Sequence, residues 1–124
     1  MPVIQAKNAP VFDKFGIFVT GLAAPSRGAR ETNVWRLRLP ASEPAAPHAV
    51  DREEIFVGLS GRALAEIAGE EHELGAGDTL IVPPNVTFSI RALGAQAFEA
   101  MVIAPVGVHA ILPSGERFAP PWTE

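Results

Sequence analysis

Short apolar runs separated by glycine and proline constrain the fold of this chain more than any other feature of its sequence. Eleven glycines and 12 prolines are spread over 124 residues, mostly between the apolar runs. The runs have strand length and cover residues 16–20, 34–39, 55–59, 63–68, 80–82, 86–90 and 98–103. Regularly spaced short strands without intervening helices are typical of an antiparallel sandwich or barrel. The sequence therefore predicts an all-β, antiparallel fold.

The second of these runs shows the clearest alternation of apolar and charged residues. Trp35, Leu37 and Leu39 alternate with Arg36 and Arg38. Because successive side chains of a strand point to opposite faces, one face of this strand is predicted to pack in the core. The other face carries two cations, which are expected to meet either solvent or a pocket.

One segment, ALAEIAGEEHEL at residues 63–74, consists of strong helix formers and would be helical in isolation. Gly61, Gly69 and Gly75 divide it into pieces of about six residues, which are too short for a stable helix. We therefore predict two strands here, joined by a hairpin turn at Gly69-Glu70.

The composition limits the class of protein to which this chain can belong and the partners that it can bind. A length of 124 residues suits one domain, and 48% apolar with 19% charged residues is too apolar for a disordered chain. No apolar run approaches the ~20 residues of a membrane span, and the first residues lack the apolar core of a signal peptide. We therefore expect a cytoplasmic protein without a membrane partner. A net charge of -4 without a basic run argues against nucleic acid.

The chain contains no cysteine, so His, Asp and Glu are the side chains expected to act as ligands or catalysts. Two of them stand in HAVDREEIFVGLSG, where His48 is followed by Glu54 after six positions and by Gly61 after seven more. Val50 lies two positions after His48, and Ser42 precedes the stretch.

A second stretch, GDTLIVPPNVTF, contains Gly77 and Pro83 and ends at Phe88. Together the two stretches resemble the paired motifs of the cupin family over about a third of the chain. Ser42 and Asn85 replace glycines of these motifs, and asparagine is the residue that best replaces glycine at positive φ. Val50 and Phe88 stand where the family has histidines.

The resemblance implies an RmlC-like cupin, whose fold is an antiparallel double-stranded β-helix or jelly-roll barrel. It implies a single cupin domain over residues 1–124, with an N-terminal strand region at 1–39 and a motif region at 42–88. A C-terminal strand and a tail with Pro120, Pro121 and Trp122 occupy residues 97–124, and this tail is similar to that of small stand-alone cupins.

The resemblance also implies where a metal would bind, because typical cupins hold one at the two motif histidines, the glutamate and the histidine of the second motif. His48 and Glu54 keep donor atoms at two of these positions, whereas Val50 and Phe88 have none. We therefore expect no cofactor. A divalent Mn, Fe, Ni or Zn ion held through His48 and Glu54 remains the alternative.

A pocket inside the barrel is the predicted site. Its predicted lining consists of His48, Val50, Glu54, Phe88, Arg36 and Arg38, and the two arginines are placed there to hold an anionic ligand. His48 is expected either to act chemically or to hydrogen-bond to Glu54 or a backbone carbonyl. Glu54 is expected to form an ion pair with Arg36, Arg38 or Arg52, or else to be an acid or base with a raised pKa.

Three functions follow from these residues. The first is a barrel that binds a small molecule without a catalytic metal. The second is an enzyme, either a metal-dependent oxygenase or isomerase, or a metal-free sugar epimerase or lyase with His48 as base and Glu54 orienting it. The third is a regulatory or structural module. We expect a homodimer in each case, because small barrels expose strand edges.

Overall fold

The computed structural model describes residues 2–124, which form twelve strands and three single-turn 3₁₀ helices. The strands are β1 (Val11–Lys14), β2 (Ile17–Ala23), β3 (Thr32–Leu39), β4 (Ala49–Val50), β5 (Glu54–Ser60), β6 (Ala63–Ile67), β7 (Glu70–Leu74), β8 (Thr79–Val82), β9 (Phe88–Ala92), β10 (Phe98–Pro105), β11 (Ala110–Ile111) and β12 (Arg117–Phe118). The 3₁₀ helices cover Ala6–Asn8, Pro25–Arg27 and Pro121–Thr123. None of the helices within residues 2–124 has the length and hydropathy that a membrane crossing requires.

The strands form two antiparallel layers. One layer is a six-stranded sheet in the order β1-β2-β3-β10-β5-β8. The other contains two three-stranded sheets, β12-β11-β4 and β7-β6-β9. A bridge between His48 and Phe88 joins them, with backbone N–H to carbonyl distances of 3.0 and 2.8 Å in the two directions. The predicted all-β jelly-roll barrel is therefore confirmed.

The alternation predicted for β3 is also present. Trp35, Leu37 and Leu39 are buried in the core that the two layers share, whereas Arg36 and Arg38 are exposed on the outer face. Burial of the three apolar side chains supplies a few kcal/mol each, so the faces of β3 cannot be exchanged at low cost.

The segment at residues 63–74 is a β-hairpin, as predicted, with Ile67 paired to Glu70. The predicted position of its turn is wrong by one residue, because the two central residues are Ala68 and Gly69, at φ 50° and 83°. Two consecutive positive φ values define a turn whose twist matches that of paired strands. Glu70 is instead the first residue of β7.

Four of the twelve strands were not predicted from the sequence. β4, β11 and β12 contain two residues each, which is too short for a recognisable alternation. β1 pairs with β2 through a second tight turn, at Phe15 and Gly16, where φ is 58° and 76°. The predicted run at 86–90 becomes a strand only at Phe88, because the chain turns through Asn85 at φ 64°.

We expect Gly61→Ala to be much more destabilising than Gly94→Ala. Both glycines have φ of +75°, so both substitutions incur the same backbone strain of about 1 kcal/mol. A Cβ at Gly61 would also overlap the Ala97 carbonyl oxygen, whereas one at Gly94 meets nothing within 4 Å. Relieving the overlap should cost about 1–3 kcal/mol more. Urea unfolding of both variants measures the difference, and equal losses would contradict the prediction.

Candidate functional site

A cavity of about 520 Å³ lies between the two layers of the barrel. Its walls are mostly apolar and include Leu37 and Leu39 of β3, Ile90 of β9, Val108 and Ala110. Exposed lining residues mark its mouth, which lies beside the Phe15-Gly16 turn, the segment 43–47 and the chain around residue 116. The volume lies in the range of small-molecule sites in proteins.

Glu54 is the ionisable side chain buried in this cavity. It begins β5, is 6% exposed, and lies opposite Val82 of β8. Burial raises the pKa of its carboxyl group to about 8, and no ion pair or hydrogen bond within residues 2–124 offsets the effect of burial. At neutral pH the group is therefore mostly protonated. The prediction of an ion pair with Arg36, Arg38 or Arg52 is wrong, since burial is the sole cause of the shift.

His48 lies immediately before β4, half-buried at the cavity wall. Its Nδ1 is 3.0 Å from the carbonyl oxygen of Ala46. Because a carbonyl oxygen can only accept, Nδ1 carries the proton and Nε2 is left as the acceptor of the neutral ring. Of the two partners expected for His48, the structure has the backbone carbonyl and not Glu54.

Val50 and Phe88 face the same cavity and are 4% and 1% exposed. The ring centroid of Phe88 is 4.6 Å from that of His48 and 5.8 Å from that of Phe56. The structure thus brings His48, Val50, Glu54 and Phe88 together at one cavity, and two of these four side chains contribute apolar surface only.

Arg36 and Arg38 do not reach the cavity, and their predicted place in its lining is wrong. Arg36 pairs with Glu99 on the outer face of the sheet, with Nε 3.3 Å from Oε1. The Arg38 guanidinium lies 5.9 Å from the ring centroid of Phe18. The physical reason is the alternation of β3, which directs Trp35 and Leu37 inward and therefore the arginines outward.

Sequence reasoning missed most of the aromatic lining of the cavity. Trp35, Phe56 and Trp122 are buried at its wall, and Phe15 and Phe118 lie near its mouth. Inward alternation in β3 could have indicated Trp35. Phe118 and Trp122 were visible only as parts of a tail, and Phe15 occupies a turn that carries no inward or outward pattern.

The donor set of the cavity does not fit a catalytic divalent metal. Such an ion usually has about three protein ligands, whereas the interior of the cavity offers His48 and Glu54, and the carboxylates of Glu43 and Glu116 lie exposed at its mouth. Within the part of the chain that the structure describes, no group of three or more His, Asp or Glu side chains is placed to hold an ion. Val50 and Phe88 supply no donor atom at the other two motif positions.

The family of the chain follows from comparison with known proteins. The model of the cupin domain matches residues 35–104, which include the inward-facing parts of β3, β5 and β9. The chain belongs to the cupin family. No curated protein matches it.

Solved structures with the same fold differ widely in sequence. The polyketide cyclase RemF from Streptomyces resistomycificus has a TM-score of 0.76 at 16% identity, covering 96% of this chain and 82% of that one. An RmlC-like cupin from Shewanella frigidimarina has a TM-score of 0.72 at 15% identity, covering 83% and 88%. KdgF from Halomonas sp. has a TM-score of 0.70 at 17% identity, covering 83% and 92%. At these identities the similarity defines the fold and not the activity.

Proposed function

We propose that this cupin binds a small, largely apolar organic molecule inside its barrel, without a catalytic metal. The observation that carries the proposal is the cavity of about 520 Å³, whose apolar wall contains one buried carboxyl group without a partner among the residues that the structure describes. A buried polar group without a partner destabilises the fold, so its presence is most simply explained by a ligand that supplies the missing hydrogen bond. A relative with this fold is a polyketide cyclase, which supports an organic ligand.

A ligand panel tests this proposal. We expect at least one class of metabolite to raise the melting temperature of the protein, because a ligand that binds only the folded state stabilises it. Ala46→Trp, which places a bulky ring at the exposed mouth of the cavity, should abolish the response. Ala95→Trp, at an exposed loop position away from the cavity, should preserve it. A response unaffected by Ala46→Trp would place the ligand elsewhere.

A second candidate is metal-free proton transfer, and the raised pKa of Glu54 favours it. A carboxyl group with a pKa near the working pH is suited to general acid or base catalysis. Because His48 is oriented by the Ala46 carbonyl, the role of Glu54 would be to transfer the proton itself, with His48 Nε2 as the second acceptor. If so, Glu54→Gln should retain ligand binding and lose turnover, whereas equal loss of both would indicate a binding role.

We propose that the chain forms a homodimer through the outer face of its six-stranded sheet. Val34, Ile103, Ile55 and Ile81 lie side by side in register across β3, β10, β5 and β8. All four side chains are at least partly exposed, and Ile81 is 56% exposed. In the neighbouring row, Met101 and Val57 extend the apolar surface, and Arg36 and Thr79 flank them. An apolar centre with a polar rim is the usual anatomy of an interface between identical subunits.

Ile81→Glu should convert the dimer into a monomer, because it places a charge in the apolar row of the paired faces. Val3→Glu is the matched control, since Val3 is 83% exposed and lies outside the six-stranded sheet. Light scattering at micromolar concentration should give twice 13.1 kDa for the parent chain and for Val3→Glu. A 13.1 kDa particle for the parent chain would contradict the proposed dimer.

A further inference from the structure

We infer that the ligand of this cavity is an aromatic molecule without a negative charge that carries a hydroxyl or carbonyl group, which hydrogen-bonds to Glu54. The inference rests on the proposed function and adds the chemical class of the ligand. It is carried by the placement of the aromatic side chains and by the buried carboxyl group of Glu54 in an otherwise apolar wall.

Aromatic side chains are concentrated at the cavity. The chain has seven phenylalanines and two tryptophans, and six of these nine side chains line it. They come from β3, β5, β9, β12, the Phe15-Gly16 turn and the C-terminal 3₁₀ helix. A core that only needed volume could use aliphatic side chains on most of these elements, so convergence from six parts of the chain favours an aromatic ligand.

The aromatic side chains form two groups. In the first, the Trp122 ring lies 6.4 Å from that of Trp35 and 6.5 Å from that of Phe15, and Phe15 lies 5.8 Å from Phe118. In the second, the Phe88 ring lies 4.6 Å from that of His48 and 5.8 Å from that of Phe56. Both have tilted or edge-on geometry, and the rings with accessible surface for a planar ligand are those of Phe15, Phe118 and His48.

Phe15 contributes a ring that the protein itself leaves largely uncovered. It is 67% exposed, although it lines the cavity, and its backbone is held at φ 58°, which a bulky residue rarely adopts. A turn that keeps an aromatic residue in this conformation directs its ring against Phe118 and Trp122 at the cavity mouth. An aromatic ligand would cover this ring.

The polar requirement comes from Glu54. Its carboxyl group is buried without a partner in the described part of the chain, and the other charged residues of the lining, Glu43, Arg91 and Glu116, are exposed. Since no cation from residues 2–124 accompanies Glu54 inside, an anionic ligand would be buried without a counter-charge. A hydroxyl or carbonyl group can donate to or accept from a protonated carboxyl group and needs no counter-charge.

Matched probes that share one carbon skeleton test the inference by calorimetry at pH 7. The probes are 2-naphthol, naphthalene, decahydro-2-naphthol and 2-naphthoate. We expect 2-naphthol to bind about tenfold more tightly than naphthalene, which lacks the hydroxyl group, and than decahydro-2-naphthol, whose rings are not aromatic. The anionic probe 2-naphthoate should bind more weakly still, because its charge would be buried without a counter-charge.

Two variants connect these preferences to the residues. Glu54→Leu should reduce the preference for 2-naphthol over naphthalene to less than threefold. Phe15→Leu should reduce the preference for 2-naphthol over decahydro-2-naphthol, whereas Phe18→Leu should not, because Phe18 lies on the outer face beside Arg38. Preferences that survive both cavity variants would overturn the inference.

Different results contradict the ligand class and the proposed binding function. Equal binding of decahydro-2-naphthol and 2-naphthol, or tighter binding of 2-naphthoate than of 2-naphthol, overturns this ligand class and leaves a cavity that binds ligands. Failure of all naphthalene-derived probes, together with binding of another metabolite blocked by Ala46→Trp, has the same result. Failure of every compound in both panels overturns the proposed function itself.

Discussion

Replacing Glu54 with glutamine should remove a loss of stability that the parent protein undergoes between about pH 5 and pH 8. The pKa of the Glu54 carboxyl is about 8 in the folded chain and 4.5 in its ordinary environment. Between these values the folded state retains a proton that the unfolded state releases. The free energy of unfolding therefore falls as the pH rises, by up to about 1.4 kcal/mol per pH unit. The contribution is fully present below pH 4.5 and lost above pH 8.

Urea unfolding at pH 5, 6.5 and 8 measures this effect. Glutamine keeps the shape of the side chain without a titrating proton, so Glu54→Gln should be more stable than the parent at pH 8 by about 3–5 kcal/mol. The two proteins should differ little at pH 5. Glu53→Gln is the matched control, because Glu53 is the adjacent residue and is exposed. An unchanged pH dependence in Glu54→Gln would show that the carboxyl group is ionised in the folded protein.

A second titrating group, Asp51, makes the free energy of unfolding rise with increasing pH, and it acts at lower pH than Glu54. Burial tends to raise the pKa of Asp51, but hydrogen bonds from the His109 backbone N–H and from Arg117, with the charges of both residues, lower it below its ordinary value of 3.8. Asp51 Oδ1 accepts the His109 N–H at 2.6 Å and Oδ2 accepts from Arg117 at 2.6 Å. Its contribution is present above pH 3.8 and lost as the pH falls further, so it does not overlap the window of Glu54.

Local patterns were sufficient to predict the parts of the fold that depend on neighbours in sequence. The alternation in β3 predicted the burial of Trp35 and Leu37. The glycines within and beside residues 63–74 predicted a hairpin, although the composition of that segment favours a helix. Asn85 has φ 64°, as expected for a residue replacing glycine. Each of these three features depends on residues that are close together in the sequence.

The site depends on contacts between distant parts of the chain, which a single sequence does not display. His48 and Phe88 are joined by a two-way backbone bridge, and Phe15 meets Phe118 across nearly the whole chain. The pKa of Glu54 is raised because no cation of the described residues lies near its carboxyl group. The sequence alone offered three arginines as partners for this group. Topology decided these points, because it placed the arginines of β3 on the outer face.

Restoring histidine at both positions that lack donor atoms should create a metal site. Val50 and Phe88 line the same cavity as His48 and Glu54, and the Phe88 ring is centred 4.6 Å from that of His48. The double variant Val50→His with Phe88→His would therefore present three imidazoles and a carboxylate, a donor set that suits Zn²⁺ or Ni²⁺. Without metal it should be less stable than the parent by about 3–5 kcal/mol, because packing is lost and polar groups are buried.

Calorimetry with Ni²⁺ and melting curves measure this gain. At a metal concentration of about 100 times the dissociation constant, the double variant should recover about 2.7 kcal/mol of stability, whereas the parent should not respond. The matched control is Val50→Leu with Phe88→Leu, which changes the same positions without adding donor atoms. Metal binding should also release a proton from Glu54, since a carboxyl group coordinates in its ionised form. Equal Ni²⁺ affinity in the double variant and its leucine control would show that the four positions cannot converge on one ion.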